Sequence, residues 1–549
     1  MFRSSSFRDY LLLAFICAVV FWWRLGWLGL IDPDEPFYAQ TAREMVESGD
    51  WVTPQIFGHP QFEKPIFFYW LTAAAYKIFG ETEFAARVPA ALPATLLVGL
   101  VYAFGVGFMG RRAALLSAIV LATGIEYAIM SRLMLTDIGL ALFIAGALFS
   151  YWRAMEDEAH RTRWILLHFM FGGLAALMKG PIGSIATLLA IWSFSWVMNR
   201  RSVLRGPALW GGLALYAAIA VPWYAVMLNK FGWEFFNEFF IHENWDRLIR
   251  AEHPTNNKWY FAYGFLYYIG LLLGGSLPWM PAVALAINRA VQGIRNDPRL
   301  AFLWCWIISS VILLTIARSK LPSYVFYVFV PVAMAAGLAL DDLLTHGFRT
   351  ARDRRLFFGF AILQLVVVLC AEQVKVARPF ATPALAMAAC FAVALVLLWR
   401  KQWTGMIVAN AAATVALIGG ALVFSVDHVE QYSSGRPVAR AMMEGQDGSE
   451  PLLAGKFLAR GIHFYTHQPV WVLANKPQPF WTPHPLPVVA GRDALHAFVE
   501  KHGAVRLTVR RSEWPFWLKS KMIAAAGEPQ WFGDNAVIRL TAPKKAVPE

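Results

Sequence analysis

Apolar residues gather along this chain in runs of about twenty, the length at which a helix crosses the ~30 Å hydrocarbon core of a bilayer. Runs of this kind fall near 10–30, 84–107, 111–130, 134–153, 163–178, 181–198, 207–228, 259–287, 299–316, 322–343, 354–372, 382–400 and 404–426. Each predicts a membrane-spanning helix. The connections between them sort by charge. Alternate ones carry Arg3 and Arg8, Arg111 and Arg112, Arg153 with Arg161 and Arg163, Arg200 with Arg201 and Arg205, Arg289 with Arg295 and Arg299, the arginines of 349–355, and Arg400 with Lys401. Basic residues in short loops mark the cytoplasmic side, so the N-terminus is expected inside. An odd number of spans then places everything after residue 426 outside.

Two of the remaining connections are long, 31–83 and 229–258, and rich in aromatics. Neither is apolar enough to span. Within them, 37–47 and 233–250 predict amphipathic helices lying in the interface. Past 427 the pattern changes to short β-prone runs, 470–473 and 505–509, with helical segments between. The expected architecture is an all-α polytopic membrane domain over 1–426, carrying interfacial helices, and a small α/β domain over 427–549 on the outer side.

Composition agrees. Charged residues are 15% of the chain and hydrophobic ones 58%, against about 25% charged in soluble domains. The net charge of +13 is spread over short loops, where it sets topology and does not build a nucleic-acid surface. Cys17, Cys305, Cys370 and Cys390 all lie inside apolar runs, so neither a disulfide framework nor a zinc set is indicated. The first run lacks a small-residue cleavage site and is read as a span. No Walker loop or GxGxxG stands between a strand and a helix, so nucleotide use is not supported.

Seven charged residues break the pattern on the outer side: Asp34, Glu35, Glu63, Lys64, Asp137, Lys179 and Lys320. Charge beside many spans is costly unless it serves a site. In Asp32-Pro33-Asp34-Glu35, a capping box would use Asp32 as N-cap and Glu35 three residues on, leaving Asp34 spare for chemistry. Glu63-Lys64 is flanked by Phe62, Phe67, Phe68, Tyr69 and Trp70; it is either a solvated pair or part of an interfacial pocket. Asp137 is either an N-cap or a site residue. Lys179 and Lys320 run against the positive-inside bias. They are either snorkelling lysines or, taken with Lys64, cations around a lipid phosphate. His242, Asn244 and Arg247 share a helical neighbourhood with Glu243 in the second outer loop and are candidate substrate contacts. Glu63 and His242 could hold a divalent ion, although no cofactor is required by anything in the sequence.

These motifs together resemble the GT-C membrane glycosyltransferases of the aminoarabinose transferase and protein O-mannosyltransferase group. The resemblance rests on Asp34-Glu35 followed by Tyr38 and Arg43-Glu44-Met45, then Glu63-Lys64-Pro65, Thr136-Asp137, Lys179-Gly180-Pro181 and Lys320-Leu321-Pro322-Ser323-Tyr324. It implies a sugar, aminoarabinose among the options, carried on undecaprenyl phosphate and transferred to lipid A or a related acceptor at the periplasmic face of a bacterial inner membrane. It also implies Asp34 as the catalytic carboxylate, Lys64 and Tyr324 on the donor phosphate, and Tyr38, Glu63 and Asp137 nearby. Phe37, Gln61 and Glu243-Asn244 depart from the group's usual residues. Two other readings stay open, a protein O-glycosyltransferase and a lipid or sugar transporter.

Overall fold

A computed structural model describes residues 4–250, 260–294, 296–371, 373–446, 448–476, 486–518, 524–525 and 527–541. The chain forms two compact units.

The first comprises Met1–Arg24, Phe62–Phe68 and Arg87–Phe424, and every predicted apolar run carries helix there. Among the described residues, eight helices are long and apolar enough to cross a membrane, so this is a multi-pass membrane protein. Shorter apolar helices, Ile182–Val197 and Tyr263–Gly275, accompany them. Burial separates inner from outer helices. The apolar stretch of Asp137–Glu156 is 89% buried, that of Ala351–Ala371 only 22%. The inner helix is rich in small residues that admit close neighbours. A Cβ on Gly146 would stand 2.8 Å from the Phe171 ring.

Several boundaries differ from the hydropathy pattern, among them a break at Gly124 between Arg111–Thr123 and Ile125–Met130. The run 259–287 is broken into helices Tyr260–Gly275 and Met280–Gly293. Pro278 between them has no N–H to donate, and because the break is itself apolar, hydropathy cannot register it. The span predicted at 207–228 continues to Phe235, but Gly232, at φ 55° and ψ −125°, breaks it. The chain then proceeds as a π-helix, Phe236–Asp246, and a single turn, Arg247–Ile249. The remainder of the loop 229–258, residues 251–258, lies outside the described residues.

The second unit comprises Leu25–Gln61, Tyr69–Ala86 and Ser425–Glu549. The loop 31–83 is therefore divided: within it only Phe62–Phe68 goes with the membrane helices. A hairpin joins β1 (Gln55–Ile56) to β2 (His59–Pro60). Its turn residues Phe57 and Gly58 both have positive φ, 55° and 77°, as a two-residue turn of right-handed twist requires. The main sheet contains β3 (Leu452–Gly455), β4 (Val470–Ala474), β5 (Val488–Ala490), β6 (Ala504–Arg510), β7 (Ala524–Ala525), β8 (Gln530–Phe532) and β9 (Asn535–Thr541). Its order is β5-β4-β3-β6-β9-β7, with β8 also on β9. The pairs β5/β4, β4/β3 and β3/β6 are parallel, and β6/β9 is antiparallel with Leu507 opposite Ile538. Helices cover both faces. Val438, Met442 and Ile462 pack on one apolar cluster, and Leu495, Val499 and Trp517 on the other. The two runs read as strands, 470–473 and 505–509, fall on β4 and β6.

Candidate active site

Two helix ends meet in the membrane unit. Asp137 opens the helix Asp137–Glu156 and Lys179 closes the helix Arg161–Lys179. Their side chains form an ion pair, Lys179 Nζ to Asp137 Oδ1 at 2.6 Å. Asp137 is therefore not spent as a cap. Thr136 holds the cap position, without a side-chain hydrogen bond. A carboxylate in the first turn and an ammonium in the last turn each suit the helix dipole. The Lys179 ammonium also lies 5.0 Å from the centre of the Tyr324 ring, close enough for a cation–π contact.

A second charged group comes from Phe62–Phe68 and the π-helix. Glu243 is the hub. Its Oε2 accepts from Lys64 Nζ at 2.7 Å and its Oε1 from Arg247 Nη2 at 2.7 Å. Lys64 also donates to the Glu63 carbonyl at 3.0 Å. Glu243 and Arg247 stand one turn apart, and the Asn244 amide is tied to the Phe239 carbonyl at 2.7 Å. Backbone bonds from Ser319 and Arg318 to the carbonyls of Arg247 and Leu248, both 3.0 Å, fasten this turn to the segment before Tyr324.

These groups line one open cleft. Glu63, Lys64, Asp137, Lys179, Asn244, Arg247 and Tyr324 all face it, as does Glu243. Three cations and three carboxylates thus share a space walled by Leu140, Phe239, Leu313 and Leu314. The cations are already paired. A phosphate entering the cleft must take Lys64 or Arg247 from Glu243, or Lys179 from Asp137. Sequence reasoning left Glu243 out of its site residues, although its spacing to Arg247 pointed to a pair.

The other predicted residues lie elsewhere. Lys320 donates to the carbonyls of Leu314, Thr315 and Ala317, at 3.3, 3.0 and 2.7 Å, closing the C-terminus of the helix Pro298–Ile316. Burial pushes its ammonium below the usual lysine range. His242 is exposed, with Nδ1 4.0 Å from Asp246. Among the described residues, Glu238, His242 and Glu243 form a cluster whose ligand atoms lie within 4.8 Å of one another. Glu243 is held there by two cations, so the donor set fits a divalent ion poorly.

Asp34, Glu35 and Tyr38 belong to the second unit, on the helix Asp34–Ser48. Asp34 is exposed; Glu35 and Tyr38 are buried. Glu35 reaches back to the Ile31 N–H at 2.7 Å, as a capping carboxylate does. Asp32 does not cap. It is 4% exposed and accepts from the N–H groups of Gly435 at 2.7 Å and Gly461 at 2.9 Å. A Cβ on Gly461 would come 2.6 Å from Asp32 Oδ1, so glycine is required there. Burial raises the Asp32 carboxyl well above its usual range, against the pull of these two donors.

Comparison with known proteins adds to this geometry. Residues 7–235 match the family model for dolichyl-phosphate-mannose-protein mannosyltransferase. The undecaprenyl phosphate-alpha-4-amino-4-deoxy-L-arabinose arabinosyl transferase of Aeromonas salmonicida is 30% identical over 355 residues, 62% of each chain. The protein of the same name from Pseudomonas aeruginosa is 29% identical over 348 residues, 62% of this chain and 61% of the relative. The chain thus aligns with about three fifths of the length of these relatives. In structure, ArnT from Cupriavidus metallidurans bound to undecaprenyl phosphate superposes with a TM-score of 0.77 at 23% identity, covering 100% of both chains. The Archaeoglobus fulgidus oligosaccharyltransferase gives a TM-score of 0.51 at 13% identity, covering 92% of this chain and 70% of that one. The fold is that of ArnT, and in sequence the chain resembles the GT-C membrane glycosyltransferases of the aminoarabinose transferase and protein O-mannosyltransferase group.

Proposed function

We propose that this protein transfers a sugar from undecaprenyl phosphate to lipid A or a related lipid acceptor, at the outer face of a bacterial inner membrane. The N-terminus would be cytoplasmic, with the cleft and the sheet-bearing unit on the periplasmic side. The observation that carries the reading is the cleft in which Lys64, Lys179 and Arg247 are each held by a carboxylate. Similarity to the arabinosyl transferases supports the donor and the sugar class.

In the reaction, the bond between the anomeric carbon and the phosphate oxygen breaks, and the polyprenyl phosphate departs with the electron pair. An acceptor oxygen forms the new bond from the opposite side, which inverts the anomeric centre. Charge growing on the departing phosphate is met by Lys64 and Arg247 as they exchange Glu243 for phosphate. Cations already positioned at the phosphate stabilise that charge more than freely reorienting bulk water does. Lys179 and Tyr324 flank the same space; Glu63 and Asn244 supply polar contacts to the sugar. Asp34 is the proposed catalytic carboxylate. It removes the proton of a hydroxyl acceptor, a contribution of about 10²–10⁴-fold. An acceptor phosphate is already ionised, and towards it Asp34 orients the nucleophile.

The matched mannosyltransferase model favours a second reading, transfer to protein hydroxyls. Mass spectrometry of membrane lipids and proteins, from cells with and without the chain, separates the two. The expected result is a pentosamine increment on lipid A. The increment on protein alone selects the second reading, and no glycan difference in either fraction refutes transfer altogether.

A further inference from the structure

The sheet of the second unit has a topological switch that the transfer reaction does not use. From β3 the chain passes through the helix Ala459–Thr466 to β4, on one side. Its parallel neighbour β6 leads the other way, towards β9. In open α/β sheets, ligands bind outside the carboxyl ends of two strands whose connections diverge like this. An open crevice lies at that point, lined by Gly455 at the end of β3 and Lys456–Leu458 after it, by Ala474 at the end of β4 and Asn475 after it, and by Thr508–Arg510 at the end of β6.

The chemistry of the lining is specific. Lys456 and Arg510 bring two cations, Arg510 lying 5.5 Å from the centre of the Phe457 ring. Glu513 adds a carboxylate to the lining. Leu458, the N-cap of Ala459–Thr466, is also in the wall, so the positive end of that helix adds to the field. Asn475 and Asn535 offer amides that can both donate and accept. Thr508 lines the crevice at 1% exposure, and among the described residues its Oγ1 has no hydrogen-bond partner. A buried hydroxyl left unpaired costs free energy that a bound polar ligand can recover.

We propose that this crevice binds a small phosphorylated sugar, with the phosphate on Lys456 and Arg510 and the sugar hydroxyls on Thr508, Asn475 and Asn535. The site stands apart from the transfer reaction and holds whether or not that reaction is correctly assigned.

Isothermal titration of the full chain in nanodiscs tests it, with glucosamine 1-phosphate, inorganic phosphate, glucosamine and a nucleoside diphosphate as separate probes. Saturable binding of glucosamine 1-phosphate is expected, tighter than that of either fragment. Lys456→Ala with Arg510→Ala should weaken it at least about tenfold, the usual worth of charge-assisted hydrogen bonds. Thr508→Val, nearly isosteric, should weaken it about two- to tenfold without lowering the melting temperature; a purely structural threonine would give the opposite pattern. Equal binding of inorganic phosphate refutes the sugar, and equal binding of glucosamine refutes the anion contact. Preference for the nucleotide, or no saturable heat at millimolar probe, overturns the proposal.

Discussion

Replacing Glu243 by glutamine tests the exchange of partners in the cleft. The side chain is 5% exposed and holds two cations, Lys64 at 13% and Arg247 at 24% side-chain exposure. Each contact is a charge-assisted hydrogen bond, worth about 1.5–3 kcal/mol. Glutamine keeps the shape and loses the charge. Without ligand, two cations face each other across a neutral amide. Removing one member of a buried pair costs about 3–5 kcal/mol; with both cations partly open to solvent, about 1–3 kcal/mol is the fitting range. The same change removes the competitor that a lipid phosphate must displace. Releasing one contact of about 1.5–3 kcal/mol corresponds to roughly 10- to 100-fold tighter binding of undecaprenyl phosphate. Thermal unfolding in nanodiscs, with and without undecaprenyl phosphate, reads both effects. The variant should melt lower when empty and gain more from the lipid than the wild-type chain does. If it gains less, or if lipid affinity falls, the cations are not exchanged from Glu243 and the mechanism above is wrong.

Three further outcomes are expected. Asp32→Ala should destabilise the second unit by about 2–5 kcal/mol, because two buried N–H groups lose their acceptor, whereas Asp34→Asn should melt normally and lose about 10²–10⁴-fold of transfer to a hydroxyl acceptor; limited proteolysis beside a transfer assay shows whether the two effects separate. Lys320→Met should lower the melting point through loss of carbonyl contacts worth about 1–2 kcal/mol and shift undecaprenyl phosphate affinity less than threefold, roughly 0.6 kcal/mol; a larger affinity loss would put its ammonium on the donor. His463 is held below the usual histidine range, chiefly by burial, with Glu44 opposing and Arg43 and His467 acting in the same direction as burial. Its unfolded form protonates first as pH falls, so stability is present above about pH 6.5, and it declines below that until the lower folded value is passed, by at most about 1.4 kcal/mol per pH unit. Unfolding followed between pH 7.5 and 5.5 should show a smaller decline in His463→Gln.

Much of this was legible in the chain, for identifiable reasons. Apolar runs of membrane length leave few alternatives to helix, and each predicted span carries one. The break at Pro278 was hidden because its surroundings are as apolar as the helices it separates. Lys64, Asp137, Lys179 and Arg247 could be gathered because charge at the edge of a bilayer is rarely incidental. Their pairing could not. Nothing local indicates that Lys64 meets Glu243 while Lys179 meets Asp137, since these partnerships depend on how distant helix ends are set. Asp32 misled for the opposite reason: its surroundings fit a local cap, and the N–H groups that claim it lie some four hundred positions further on.

The division of the loop 31–83 bears on how the protein is made. Phe57 belongs to that early segment and packs against the apolar cluster of Val438, Met442 and Ile462, and Asp32 needs Gly435 and Gly461. Between Gln61 and Gly435 the ribosome must add roughly 370 residues, which takes about 20–75 s at ordinary rates of synthesis. For that interval an early aromatic strip of chain waits for partners not yet translated. An expression fragment beginning at 427 would leave the complementary wound open, with backbone donors and greasy side chains turned to water.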